Sequence, residues 1–519
     1  MFGLVVKMES AFEVTEPPLS AGSMASLHLG SFALEYRLTL EDFHAVQKGF
    51  PKLKATKRNR GLKSLRKAAN VYSLQSHEQD HMNRLVGTSF GYMLDIVRSR
   101  WVMATAELVG EKLESTKSVL PLGNIEPSKL DLTGDILGDL ERRSGQLRQH
   151  LVCQGLSDCL HALMDDASGQ RTVSALWGLT KGNSEKVLYL LDNAERPFRS
   201  GYSLLTPEGA RQPLTSRHLL ELFGWREQGN ALIGLGYDVA EVESLFLTDS
   251  HEYQLAFEVW RTVIPQANDL ITAAGGAEKI WWGKSFPFEL FVCADLALWP
   301  PFEPPGRIQP GFRWYDINPA KRFVSILVAF RELGLSLSTS RSEDSNGKML
   351  DLQSKLCRRL HWPTPDSLAR AWLEYLSDEK ARNATPWHEL EPEISLRVNS
   401  AVAILRARVE HPSDVVLNRM TLEEFGGRSA PIWIFQMPDG AKHFAKPAEP
   451  FEEFVHQLLL YEGTAHLYVP NRPIIDGLEE RWMCESTARY TAMRFAEYCE
   501  WAEDKANRFA EICSAYFVK

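Results

Sequence analysis

No stretch of this sequence approaches the roughly 18 uninterrupted apolar residues that a membrane-spanning helix requires. The opening "MFGLVVKMES" has a short apolar run, but no basic region precedes it and no small-residue cleavage pattern follows. A secretory signal is therefore not expected, and the protein is placed in the cytoplasm. Cysteine is sparse: Cys153, Cys159, Cys293, Cys357, Cys484, Cys499 and Cys513 lie singly, never in a CxxC pair. That spacing excludes a zinc ribbon and a disulfide framework and suits reduced thiols. Internal repeats, heptad runs and motifs for a Ser, Cys or Thr nucleophile are missing too. The tripeptide Gly283-Lys284-Ser285 does not make a phosphate loop, because Glu278 stands where the loop needs its first glycine.

What is present is ordinary globular composition. The chain has 519 residues, 44% hydrophobic and 24% charged, enough for one large or two to three average domains. Its net charge of −9 argues against a general polyanion binder. The charge is uneven, however: "KGFPKLKATKRNRGLKSLRKAA" holds nine cations between Lys48 and Lys67 and no acid. A protein partner or an anionic ligand is one reading of this basic segment 48–67. The plainer one is a solvated loop running into the first turn of a helix. Nucleic acid is not expected there, since only Phe50 offers a ring for stacking.

The predicted fold class is mainly α with minor β (α+β), in three regions. Residues 1–61 form an N-terminal β and basic segment, in which "ASLHLGSFALEYRLTL" partly alternates as a strand or hairpin does. Residues 62–330 form a mainly helical region, with apolar periodicity over 62–115, 125–165, 214–235 and 250–273. Six prolines between Pro300 and Pro319 imply an extended loop. Residues 331–519 form a C-terminal helical region, interrupted by the polar, mobile-looking "STSRSEDSNGK". It also holds a hairpin, in which two short strands flank the Pro-Asp-Gly turn of "APIWIFQMPDGAKHFAKP".

One stretch, "VYSLQSHEQDHMNRLVGTSFGYML", carries more chemistry than a helix needs. His77 and His81 are four apart, so on a helix they differ by about 40° and about 6 Å and can share one metal ion. Val71, Leu74, Met82 and Leu85 recur at three- and four-residue intervals, which turns Glu78 and His81 toward the core. A buried carboxylate needs compensation, and a divalent cation supplies it. Glu78, next to the first histidine, is then placed as a general base toward a metal-activated water. The alternative is a hydrogen-bonded structural cluster.

These residues resemble the zincin metallopeptidases, whose helix carries two histidine ligands and a glutamate base. More closely, "HEQDHMNRLVGTSFGYML" is similar to a poorly characterised bacterial group in which the motif is followed by a Thr-x-x-Gly turn, here Thr88 to Gly91. "LTSRHLLELFGWREQGNAL" and "FVCADLALWPPF" look like later blocks of that group. The resemblance implies a zincin-like core helix pair, a bound Zn2+, a protein or peptide substrate, and His77 and His81 as ligands with Glu78 catalytic. One departure stands out: peptidase helices usually keep the two middle positions uncharged, whereas here they are Gln79 and Asp80. An acid there either orients an imidazole or marks drift away from catalysis.

A catalytic zinc takes three protein ligands and an open position. No third histidine follows His81 at short spacing, so the ligand must be distant. Glu221 is one candidate, on a helix capped by Thr215 or Ser216 with His218, Leu222, Trp225 and Leu232 marking its buried stripe; His218 would be its partner. Glu485 is the other, in a Glu-x-x-Ala pattern, but Arg481 and Arg489 lie four residues to either side as in an ion-pair ladder. The stripe and the resemblance favour Glu221. Glu252 after His251 reads as a helix start, and Glu462 with His466 as a hydrogen-bonded pair. The functional expectation is a zinc-dependent hydrolase of peptide or related amide bonds. Its rivals are a non-catalytic zincin-like scaffold and a partner-binding component of a bacterial multi-protein system.

Overall fold

A computed structural model of the chain describes residues 25–28, 33–36, 44, 63–113, 203–205, 211–246, 251–276, 287–304, 307–308, 314–337, 345–378, 391–417, 433–436, 442–444, 459–460, 463–464, 467 and 480–517. Within them the protein is mainly helical. The periodic segment expected over 62–115 forms two helices, α1 (Lys63–Val86) and α2 (Ser89–Leu113). The break between them follows from local chemistry. Thr88 Oγ1 donates to Arg84 O at 2.7 Å, closing α1, and accepts the Gly91 N–H at 3.4 Å, opening α2. A Cβ on Gly91 would lie 1.5 Å from Leu85 O, so only glycine fits this turn.

The segment expected over 214–235 is α3 (Ser216–Gly234), preceded by a short antiparallel ladder of β3 (Ser203–Leu205) and β4 (Arg211–Pro213). Then come α4 (Val239–Phe246), α5 (His251–Val263) and α6 (Gln266–Ala274), the last two divided at Pro265. The apolar α7 (Phe288–Ala297) is buried at every position from Glu289 to Ala297.

The proline-rich stretch is not wholly extended loop. β5 (Phe302–Glu303) pairs with β6 (Arg307–Ile308), and α8 (Trp314–Ile317) makes one helical turn. Prolines on both sides hold the ladder to two residues per strand. Next is α9 (Pro319–Glu332), capped by Asn318, which accepts the Lys321 N–H at 3.2 Å. Arg322 in its first turn is completely buried and donates to Leu296 O and Ala297 O at the end of α7 and to Trp299 O just beyond it.

The chain continues with α10 (Ser345–Leu360), α11 (Pro365–Ser377), α12 (Glu391–Glu410) and α13 (Pro412–Val416). Ser345 to Lys348, at the end of the stretch read as a polar break, are the first turn of α10, with Ser345 Oγ 3.0 Å from Ser413 Oγ. The expected hairpin is present as β7 (Trp433–Gln436) and β8 (Lys442–Phe444), antiparallel with Phe435 opposite His443. Finally α14 (Glu480–Tyr498) and α15 (Glu503–Phe517) pack against each other.

The N-terminal strands β1 (Ala25–His28) and β2 (Ala33–Tyr36) are antiparallel, and β2 runs parallel to β7, giving the sheet order β1-β2-β7-β8. β1 packs on α1, and α1 lies along α3 in the most extensive helix pairing among the described residues. The buried core is continuous from Tyr36 through α1, α3, α7 and α12 to Cys513. No described helix is long and apolar enough to cross a membrane. Cys293, Cys357, Cys499 and Cys513 are free thiols. The segments 125–165 and 48–62, the Gly283–Ser285 tripeptide, Glu462 and His466 lie outside the described residues.

Candidate metal centre

The long α1–α3 contact brings three donors together. His77 and His81 project side by side from α1, ring centroids 4.6 Å apart and inclined at 66°. Glu221 comes from α3, 144 residues further along: its Oε2 is 3.0 Å from His77 Nε2 and 3.7 Å from His81 Nε2. All three side chains are buried, and their donor atoms lie within 4.8 Å of one another, close enough to hold a metal ion. Two donors about 2.05 Å from a tetrahedral ion sit about 3.3 Å apart, and the two histidine–glutamate distances bracket that value. His81 Nε2 is fully shielded from solvent and has no hydrogen-bond partner among the described residues, which in a buried imidazole asks for a ligand.

Gly224, one turn after Glu221, makes the approach of α3 feasible. A Cβ there would stand 2.7 Å from His81 Nε2 and 2.8 Å from His77 Nε2, in the space between the donors. The signal for this residue was present in the sequence. A glycine in a helix interior costs about 1 kcal/mol relative to alanine, and a close approach is a reason to keep one.

The electrostatics are those of a compensated buried cluster. Burial alone would raise the Glu221 carboxyl, but His81, His77 and then Arg217 hold it down at about 2. Burial alone would lower His81, but Glu221, Glu78 and Asp80 raise it to about 10. A divalent cation can take the place of the proton on His81 and leave the carboxylate compensated, so metal uptake would release a proton. The donor set, two imidazoles and one carboxylate, suits a mononuclear site with an open position.

Glu78 is buried beside these donors, its Oε2 at 3.4 Å from His81 Nδ1. Asp80, the unexpected middle acid, accepts from Arg84 Nε at 3.2 Å and is itself buried, while Gln79 donates to Asn83 Oδ1 at 3.1 Å. His218, expected as a partner of Glu221, is engaged at the helix start. Its Nδ1 accepts the Thr215 N–H at 3.0 Å and lies 2.8 Å from Thr215 Oγ1, taking the place a Glu or Gln usually fills in a capping box. Burial lowers its pKa to about 4.

Glu485 is elsewhere: it is exposed on α14 and pairs with Arg489 at 3.1 Å. His251 begins α5, with Glu252 in its first turn. Two residues not singled out from the sequence join the site. Arg84, one turn beyond His81, stacks on Phe223 of α3 at 4.0 Å. Tyr36 of β2 is fully buried, and burial together with the Glu78 charge lifts its phenol above the usual range. Nothing local marks either one, since both are placed by tertiary packing. The chain matches no protein-family model, no curated protein and no solved structure.

Proposed function

We propose that this protein is a zinc-dependent hydrolase of peptide or related amide bonds, with His77, His81 and Glu221 holding the metal and Glu78 as general base. The observation that carries the reading is the meeting of His77, His81 and Glu221 from two packed helices, with Gly224 leaving the space between them clear. The local resemblance to zincin metallopeptidases supports it. When bound, zinc supplies Lewis acidity and lowers the pKa of water to about 7. Glu78 removes a proton from the attacking water and returns it to the departing amide nitrogen. Glu221 and the two imidazoles orient the centre, and their burial keeps the local dielectric low, where charge interactions are stronger. The reading includes a protein or peptide substrate, a cytoplasmic location, and the basic segment 48–67 offered to a partner.

One observation favours a second reading, a non-catalytic metal-bound scaffold or partner-binding component. Glu78 lies against His81 Nδ1, and a carboxylate on the second nitrogen of a ligand histidine commonly orients the ring. Substituting Glu78 separates the two. The hydrolase reading predicts about one zinc per chain in wild type and in Glu78→Gln, with turnover of a fluorogenic peptide mixture reduced about 10²–10⁴-fold in the variant. Elemental analysis, melting temperature and biological effect in the native host complete the comparison. A folded, zinc-loaded Glu78→Gln protein with full activity would remove Glu78 as the base and leave the scaffold reading.

A further inference from the structure

A second cluster of buried charges adjoins the ligands, running from Asp80, between the two histidines, to Arg84, one turn past His81. Arg84 donates through Nε to Asp80 Oδ1 at 3.2 Å and through Nη2 to Val416 O at 3.1 Å. Its Nη1 is 3.6 Å from Asp295 Oδ1 on α7. Asp295 is held in turn by both terminal nitrogens of Arg408 on α12 and by Gln353 Nε2 at 3.4 Å. Asp80, Arg84, Asp295 and Arg408 are each no more than 3% exposed. Two anions thus face two cations. Well-packed apolar residues of similar volume often serve stability as well as or better than a buried ion pair. Stability alone is therefore a weak reason for such an array.

Its position supplies a better one. The Arg84 guanidinium lies over the Phe223 ring, its Cζ 4.0 Å from the ring centroid. Phe223 stands between Glu221 and Gly224 on α3, and Arg84 is three residues beyond His81 on α1. The stack therefore ties the helix carrying two donors to the helix carrying the third, right beside the donors. Asp80 and Asp295 pair with the same guanidinium.

We propose that Arg84 is a positioning residue of the metal centre, fixing α1 against α3 at the separation and rotation in which His77, His81 and Glu221 meet. The proposal rests on the metal-site reading above. It also accounts for Asp80 inside the motif: its charge anchors Arg84. A planar guanidinium can stack and donate in several directions at once, whereas an ammonium cannot do both.

The test measures zinc affinity of the full chain by competition with a chromophoric chelator, together with the visible spectrum of the cobalt-substituted protein. Arg84→Lys keeps the charge and loses the flat face. It should weaken zinc binding about 10–100-fold, as loss of an orienting contact typically does, and alter the cobalt spectrum. Phe223→Leu removes the stacking partner without touching a charge, should change affinity in the same direction, and carries the test if Arg84→Lys does not fold. Trp372→Phe is the control. It deletes a buried hydrogen bond to Phe302 O, so it should lower the melting temperature and leave zinc affinity unchanged. Wild-type affinity and spectrum in folded Arg84→Lys or Phe223→Leu would overturn the proposal, as would affinity that tracks melting temperature across all three variants. A wild-type chain that binds neither metal would instead overturn the metal-site reading, and the proposal with it.

Discussion

At Gly224 a single methyl group should separate metal binding from folding. Alanine adds about 1 kcal/mol of helix propensity, while its Cβ would press on the two imidazole Nε2 atoms at 2.7 and 2.8 Å. Those atoms are the ends of side chains and can swing aside at small cost in the metal-free protein. They cannot do so and still ligate. Gly224→Ala should therefore melt within a few degrees of wild type without metal and lose zinc retention, measured by elemental analysis after dialysis; retained zinc would place the ion away from the space between the two Nε2 atoms. The same assay distinguishes the two glutamates. Glu221→Gln should lose zinc, and Glu485→Gln should keep it, because Glu485 lies on the exposed face of α14 with Arg489 as its partner. The reverse outcome would move the third ligand to the C-terminal helices.

Among the elements, α3 carries a pH-sensitive cap. His218 accepts the Thr215 N–H only while its Nδ1 is unprotonated, and burial lowers its pKa from 6.5 to about 4. The unfolded chain binds this proton more readily than the folded one between those values. The cap's contribution is therefore complete above about pH 6.5 and is lost as pH falls toward 4. His218→Gln keeps a capping-box residue at this position, so it should flatten the melting-temperature profile between pH 6.5 and 4; an unchanged slope would assign that titration to another group. Such caps show how far sequence reasoning reaches. The i,i+4 spacing places His77 beside His81 whatever the tertiary fold, and Thr88 to Gly91 announces a helix break, because both depend on neighbours within one turn. Glu221 was legible only as an acid on an apolar stripe. The three-residue strands near 203–213 were not, since each is too short for an alternating pattern. The β2–β7 pairing joins residues near the two ends of the chain, and the Arg84–Asp295–Arg408 array joins α1, α7 and α12. Partners so far apart leave no periodic trace in either segment.

For the whole molecule, these long-range contacts bear on how the chain unfolds. The division expected at residue 330 runs between elements that share one buried core. Asp295, completely buried on α7, is matched by Arg408 from α12, while Arg84 of α1 reaches Val416 O at the end of α13. A chain cut after residue 330 keeps Asp295 and discards Arg408, Gln353 and Val416. Removing one partner of a buried pair costs about 3–5 kcal/mol, a large part of the roughly 5–15 kcal/mol that holds a domain together. The cut also removes β7, and a start at residue 62 removes its parallel partner β2 and with it the fully buried Tyr36. The helices bearing the metal ligands should therefore not fold by themselves: fragment 62–330 should lack a cooperative melt and bind zinc no better than an unfolded chain. The intact protein should show one calorimetric transition covering both regions, with calorimetric and van't Hoff enthalpies in agreement. The matching substitution should follow the same logic. Arg408→Met should destabilise by about 3–5 kcal/mol, and adding Asp295→Leu should restore most of that loss, because the double change leaves Asp295's site without an uncompensated charge. Two resolved transitions, or a fragment 62–330 that melts cooperatively and retains zinc, would show that the metal centre belongs to a self-sufficient unit and that the array across residue 330 contributes little to holding it.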